Sequence, residues 1–338
     1  MRWRSPWVTA GLVLVGAGLV LLVVLVVTGH APVPALAALG RGAVGSWYTF
    51  TSTTLVRATP LILSGLAVAI AFRAGVLNIG AEGQLLMGAA AATAVALTVP
   101  SGGVVLALFA GLVGGLLWTI IPAVLTQRFG VLEVISTLMM NAVALYVVGW
   151  LVRGPLQEPT GIYPQSGVLS EATRLPLLWS GTRLHAGFLL ALVCAGALWW
   201  FVARTAAGFR LRAVGLNAHA AASAGRIDVA RTSQRAFLVS GVLAGLAGAV
   251  EVQGVTYGLY ENLSPGYGYT AIAVALLGRL DARAVVATAI LFAALQAGGS
   301  AMQRDAGVPA VTVKVVEAVL ILGVISATAW QRRQGSRA

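Results

Sequence analysis

Charge is scarce in this 338-residue chain, where only 9% of residues are Asp, Glu, Lys or Arg. A soluble domain draws roughly 25% of its residues from those four types to cover its surface. Hydrophobic residues make up 59% instead, and the mean hydropathy is +0.90. Such a chain cannot face water all round, and it reads as a polytopic membrane protein. Cysteine is nearly absent. The lone Cys194 excludes a disulfide framework and a thiolate metal site. Three widely separated histidines, His30, His185 and His219, offer no ligand cluster, so no metal site is assigned. Lysine is reduced to Lys314, inside an apolar run, so the chain holds no G-x-x-x-x-G-K-[ST] phosphate loop. H-E-x-x-H and G-x-S-x-G are missing as well, and no catalytic residue is assigned. Gly266-x-Gly268-x-x-Ala271 mimics a dinucleotide fingerprint but follows no strand, so it is rejected.

The charge that remains is lopsided. A net charge of +12 rests on 21 Arg and the one Lys. They form no basic stripe and accompany no nucleic-acid motif, so no nucleic-acid partner is expected. Cytoplasmic loops of membrane proteins carry an excess of Arg and Lys, which accounts for the sign.

Apolar runs lie at 7–28, 56–72, 79–98, 104–125, 134–152, 187–203, 236–255, 269–280, 284–301 and 309–326. Most approach the ~20 residues that cross a bilayer as a helix. The first run, 22 residues from Trp7 to Thr28, exceeds the apolar region of a secretory signal, which is about 7–15 residues. It is read as an uncleaved span. The stretch 269–280 is too short to cross alone and is expected to be broken or re-entrant. The fold class is therefore an all-α polytopic membrane protein with about ten transmembrane or half-spanning helices. With the N-terminus inside, 15 Arg fall on the inner side and six on the outer, as the positive-inside rule requires. Both termini are then cytoplasmic. Spans 2–5 and 7–10 enter from opposite sides, the pattern of an inverted-topology repeat.

The whole chain, 1–338, reads as one transmembrane domain. Residues 1–55 hold the first span and an outer loop, 56–153 hold spans 2–5, and 154–186 form a second outer loop. Residues 187–203 are span 6, 204–235 a cytoplasmic segment, 236–326 spans 7–10, and 327–338 a cytoplasmic tail. Pro155, Pro159, Pro164 and Pro176 predict that the outer loop is ordered by turns. The segment 204–235 holds six arginines and, from Ala218 to Ala224, small residues that favour a short surface helix.

Ionisable residues inside a membrane cost ~2.5–3.5 kcal/mol each and point to function by default. Glu82, Glu133, Glu251, Lys314 and Glu317 qualify. Glu133 lies at an interface beside Arg128, where it costs little. Lys314 and Glu317 are three residues apart and can neutralise each other. Glu82 sits in Asn78-Ile-Gly-Ala-Glu-Gly-Gln84. One reading is a helix start capped by Asn78, with Glu82 in its first turn; the other is a gate or path lining. Ser136, Thr137 and Asn141 in span 5 can bond across helices or face a pore. The Gly111–Gly115 and Gly241–Gly245 spacings match close helix contact.

Residues Phe72 to Gln84 resemble the signature of permease subunits of bacterial ABC importers for nucleosides, of guanosine or purine type. These belong to the larger ribose, nucleoside and branched-chain amino acid permease family. Glu133-Val-Ile-Ser-Thr-Leu-Met-Met-Asn141, Val214 to Gly225, Ser240 to Glu251 and Gly266 to Gly278 resemble that family's later motifs in order. Three departures stand out: His219 where a proline is usual, Arg226 intervening before Ile227, and Asp281-Ala-Arg283 in place of a proline-glycine turn.

The resemblance implies the membrane subunit of an ATP-driven importer in the bacterial cytoplasmic membrane. It is not itself an enzyme and binds no cofactor; ATP and Mg would sit on a separate ABC ATPase subunit. It implies that Gly215, Asn217, Ala220, Ala221 and Gly225 couple to that ATPase. Asn78, Glu82, Gln84 and Asn141 would lie near the substrate path. Partners would be the ATPase, a related but different second permease, a substrate-binding lipoprotein, the nucleoside and membrane lipids. Alternatives are a ribose- or galactose-type sugar permease, and a proton-coupled transporter using Glu82, Glu251 and the Lys314–Glu317 pair.

Overall fold

A computed structural model describes residues 6–225 and 227–309, together with 311–312, 314–315, 318–319 and 322–323. Glu317 and Arg226 lie outside the described residues. Every regular element among those described is helical, and only isolated bridges accompany them. In order they are α1 (Pro6–Val27), α2 (Pro32–Val44), α3 (Trp47–Arg73), α4 (Ala81–Thr98), α5 (Gly103–Phe129) and α6 (Glu133–Arg153). Then come α7 (Gly187–Arg204), α8 (Ala206–Leu216), α9 (Ala218–Gly225), α10 (Val229–Thr256), α11 (Tyr267–Leu277) and α12 (Ala282–Ala306).

Among the described residues, six helices are long and apolar enough to cross a membrane: α3, α5 with the turn before it, α6, α7, α10 and α12. The all-helical membrane fold is thus established, while ten crossing or half-crossing helices are not. One of the expected ten falls short for a physical reason, and another is the half-span that its short apolar run predicts. Helix α4 is 18 residues long but opens with Glu82 and Gln84, which lower its hydropathy. Helix α11 has 11 residues, about 16 Å at 1.5 Å per residue, or half of a ~30 Å hydrocarbon core.

The chain divides into two compact units, Met1–Ala58 with Ile290–Ala338, and Thr59–Ala289. In the first, α2 lies against the end of α12 through glycines. A Cβ on Gly42 would strike Ala301, and one on Gly298 would strike the Leu39 backbone. Thr54 Oγ1 donates to the Ala43 carbonyl (2.6 Å) from a π-helical stretch, Phe50–Leu55, inside α3. Arg57 donates to Ser300 Oγ (3.0 Å).

The second unit is built on the mutual crossing of α4, α5 and α10. Gly88, Gly111, Gly115, Gly241 and Gly245 let the three backbones touch, and each lacks the room a Cβ would need. In a membrane, where lipid is as apolar as leucine, such close van der Waals contact is what holds helices together. Helix α5 ends where Gly130 takes φ 68°, with its N–H donating to Thr126 (3.1 Å) and that of Val131 to Leu125 (3.3 Å). The segment 154–186 is ordered by turns as its prolines predict. It lies along the chain after α10, where Ser166 donates to Leu259 (2.9 Å) and Leu169 to Tyr257 (2.9 Å).

Candidate functional site

The loop between α3 and α4 carries a buried polar cluster. Asn78 Nδ2 donates to Gln84 Oε1 (3.0 Å) and to Ser240 Oγ on α10 (2.8 Å). Its Oδ1 accepts from the Gly80 N–H (2.8 Å). Asn78 therefore closes a side-chain turn two residues long, and Gly80, not Asn78, stands at the helix-capping position. The expected Asn78 cap is corrected by two residues: the short amide reaches Gly80 but not the N–H groups one turn into α4.

Glu82 does not serve the dipole of its own helix alone. Its Oε2 accepts from the Gly268 N–H (2.6 Å) in the first turn of α11, 186 positions along the chain. Ser264 hydrogen-bonds the same carboxyl and also accepts from the Tyr267 N–H (3.0 Å). A carboxylate thus fills the electropositive end of the half-length helix. Gly268 has no space for a Cβ beside the Glu82 backbone, which is why a glycine stands there.

Asn141, on α6, closes the cluster. Its Oδ1 accepts from the Gly83 N–H (2.8 Å), while Nδ2 donates to the Ile79 carbonyl (2.9 Å) and to the Tyr269 hydroxyl (3.2 Å). Asn78, Glu82, Gln84 and Asn141 are all buried. The fold brings these four together at the start of α4, where they tie it to α6, α10 and α11. Tyr269, whose ring is 45% exposed, is the side chain they present outward, and sequence reasoning passed it over. Its only signal was an aromatic at the start of a half-span. Glu133 also serves this loop, accepting from the Leu77 N–H (3.1 Å). Glu251 is buried at the foot of a π-helical stretch, Val252–Thr256. Lys314 is exposed.

The arginine-rich segment forms a second feature. Thr205 caps α8 by accepting from Gly208 (2.9 Å), and Asn217 caps α9 by accepting from Ala220 (2.9 Å). A single residue, Asn217, separates the two short helices, and Leu216 at the end of α8 is 88% exposed. Asn217 and Ala220 are exposed, Ala221 is buried, and Gly225 ends α9. Gly215 is different: its Cα packs on the Arg73 carbonyl at the end of α3, with no room for a side chain.

After α11, Arg279 and Leu280 take positive φ (52° and 59°), strained for residues with a Cβ. Arg73 donates to the Leu280 carbonyl (2.7 Å) and steadies the turn. Asp281 then caps α12 by accepting from the Arg283 N–H (3.0 Å). Burial alone would raise the Asp281 carboxyl, but its bonds from Arg283 and Ala284 and the Arg283 charge hold it below its ordinary value. The substituted turn thus works through a charged cap where proline and glycine were expected.

Residues 50–325 match the family described as branched-chain amino acid transport system / permease component. The chain belongs to that family. This permease is 39% identical over 313 residues to a guanosine ABC transporter permease of Bacillus subtilis, covering 90% of its own length and 89% of the relative's. It is 40% identical over 291 residues to a glucose ABC transporter permease of Haloferax volcanii, covering 82% and 76%. A nucleoside ABC transporter permease of Lactococcus lactis shares 32% over 281 residues, covering 79% and 77%. Family membership and six apolar crossing helices make the chain a multi-pass membrane permease component, not an enzyme.

Proposed function

We propose that this permease is the membrane subunit of an ATP-driven ABC importer for nucleosides in a bacterial cytoplasmic membrane. The observation that carries this reading is the 39% identity to a guanosine permease across nine-tenths of the chain. Both termini are assigned to the cytoplasm, following the arginine distribution. An inverted-topology repeat and a single transmembrane domain are part of the same reading. ATP and Mg belong to a partner ATPase. A second permease and a substrate-binding lipoprotein complete the assembly, and the outer segment 154–186 is the docking surface for the latter.

The four buried residues Asn78, Glu82, Gln84 and Asn141 act as positioning residues beside the substrate path. They hold the half-helix α11 and fix Tyr269 by its hydroxyl. Tyr269 then meets the substrate. An aromatic face suits a nucleobase, since stacking on one contributes about 1–3 kcal/mol per base. Tyr269→Ala is expected to weaken apparent nucleoside affinity in uptake about tenfold while leaving chain abundance unchanged.

Coupling falls to α8 and α9. Because Gly215 is a packing glycine, a bulky residue there would disturb folding first. The discriminating positions are exposed: Asn217, Ala220 and Leu216, beside Ala221 and the helix end at Gly225. Affinity purification in mild detergent, followed by mass spectrometry, should recover a phosphate-loop ATPase with the native chain. Leu216→Asp with Ala220→Trp should lose that ATPase and keep the second permease. Equal recovery from both would overturn the coupling assignment.

A simple-sugar importer is the second reading, favoured by the 40% identity to a glucose permease. Identity alone does not separate the two. Competition does: unlabelled glucose should leave labelled nucleoside uptake unchanged.

A further inference from the structure

Helices α7 and α10 face each other across a gap. Cys194, Leu198 and Phe201 on α7 and Ala236, Val239 and Leu243 on α10 recur at three- and four-residue spacings, so each set is one helix face. Helices packed directly interlock, and interiors keep few voids larger than a water molecule. Here a half-open apolar groove of about 400 Å³ remains between them, the size of a ligand site. Its rim is of opposite character. Arg210 of α8 and Arg235 of α10 both line it, both are exposed, and neither has an acidic partner among the described residues.

We propose that this groove is a binding site for an anionic phospholipid. One acyl chain occupies the apolar gap, and the phosphate is held by Arg210 and Arg235. Guanidinium forks match phosphate geometry with paired hydrogen bonds. Basic pockets between spans at a membrane face suit anionic headgroups. The segment 204–235 lies where the apolar runs stop, so the arginines sit at headgroup depth while the gap runs into the hydrocarbon. The site needs only that this segment border a membrane face. It is independent of what the permease carries, and its failure would leave the transport reading untouched.

The test is thermal unfolding and lipid retention of the full-length chain, with whatever subunits accompany it, purified in mild detergent. Phosphatidylglycerol should raise the midpoint by several degrees and survive as a bound species in native mass spectrometry. Phosphatidylcholine should do neither, and inorganic phosphate alone should not shift the midpoint. Arg210→Gln with Arg235→Gln should abolish the phosphatidylglycerol effect. Arg231→Gln, whose charge is already paired with Asp228 (3.6 Å), should keep it. Filling the gap with Ala197→Trp, or with Val239→Trp from the facing helix, should expel the lipid while both arginines remain. Equal effects of the two lipids would overturn the site. So would a full effect in the double arginine variant or the filled variants, or an equal effect of inorganic phosphate.

Discussion

His185 shows what a single side chain contributes. It is fully buried two residues before α7, and neither ring nitrogen finds a partner among the described residues. Glycines at 187 and 254 give it space, since a Cβ on either would strike the ring. Burial, with a smaller effect from the Arg183 charge, lowers its pKa to about 4 from the ordinary 6.5. The unfolded chain therefore takes up a proton below pH 6.5 that the folded chain refuses until about pH 4. Stability is complete above pH 6.5 and falls as the pH drops toward 4, by at most ~3 kcal/mol at 1.36 kcal/mol per unit. Melting midpoints between pH 7 and 4.5 should decline, and His185→Gln should flatten that decline. Asn141→Ala makes a second prediction. It leaves the buried Gly83 N–H unpaired and should cost roughly 2 kcal/mol of stability. An unchanged melting midpoint would contradict the positioning role. The sequence marked Asn78, Glu82, Gln84 and Asn141 because polar groups in apolar runs are conspicuous. It did not reveal that Glu82 answers Gly268, because that pairing depends on tertiary structure and not on any local period.

At the scale of elements, periodicity and glycine spacing carried much of the fold. The G-x-x-x-G pairs in α5 and α10 meet each other and Gly88 of α4, so close contact at these glycines was readable from spacing, but which helices meet was not. The short length of α11 was readable from its apolar run. The π-helical stretches in α3 and α10 were not, because a one-residue change in hydrogen-bond span leaves no mark on hydropathy. Gly245→Val pushes a side chain into the Gly111 and Gly115 backbones. It should cost about 3 kcal/mol or prevent insertion, near the upper end of overpacking penalties. Gly196→Ala on α7, where a Cβ meets nothing, should be neutral or stabilising by up to ~1 kcal/mol. Expression and melting of the two variants check the contrast.

For the whole molecule, the scarcity of charge and the missing phosphate loop point the same way. A chain that lacks a phosphate loop and cannot face water has to work as part of an assembly if its transport is ATP-driven. Segment 204–235 has the capped short helices and exposed Leu216 that such an assembly could grip. What composition could not convey is the cargo, since nucleoside and glucose permeases match this chain almost equally. The most direct measurement is uptake of labelled guanosine by proteoliposomes holding the co-purified complex and its substrate-binding protein. Accumulation should require ATP, yield to unlabelled guanosine and ignore glucose. Accumulation driven by a proton gradient without ATP, or competed by glucose and not by guanosine, would contradict the nucleoside-importer reading.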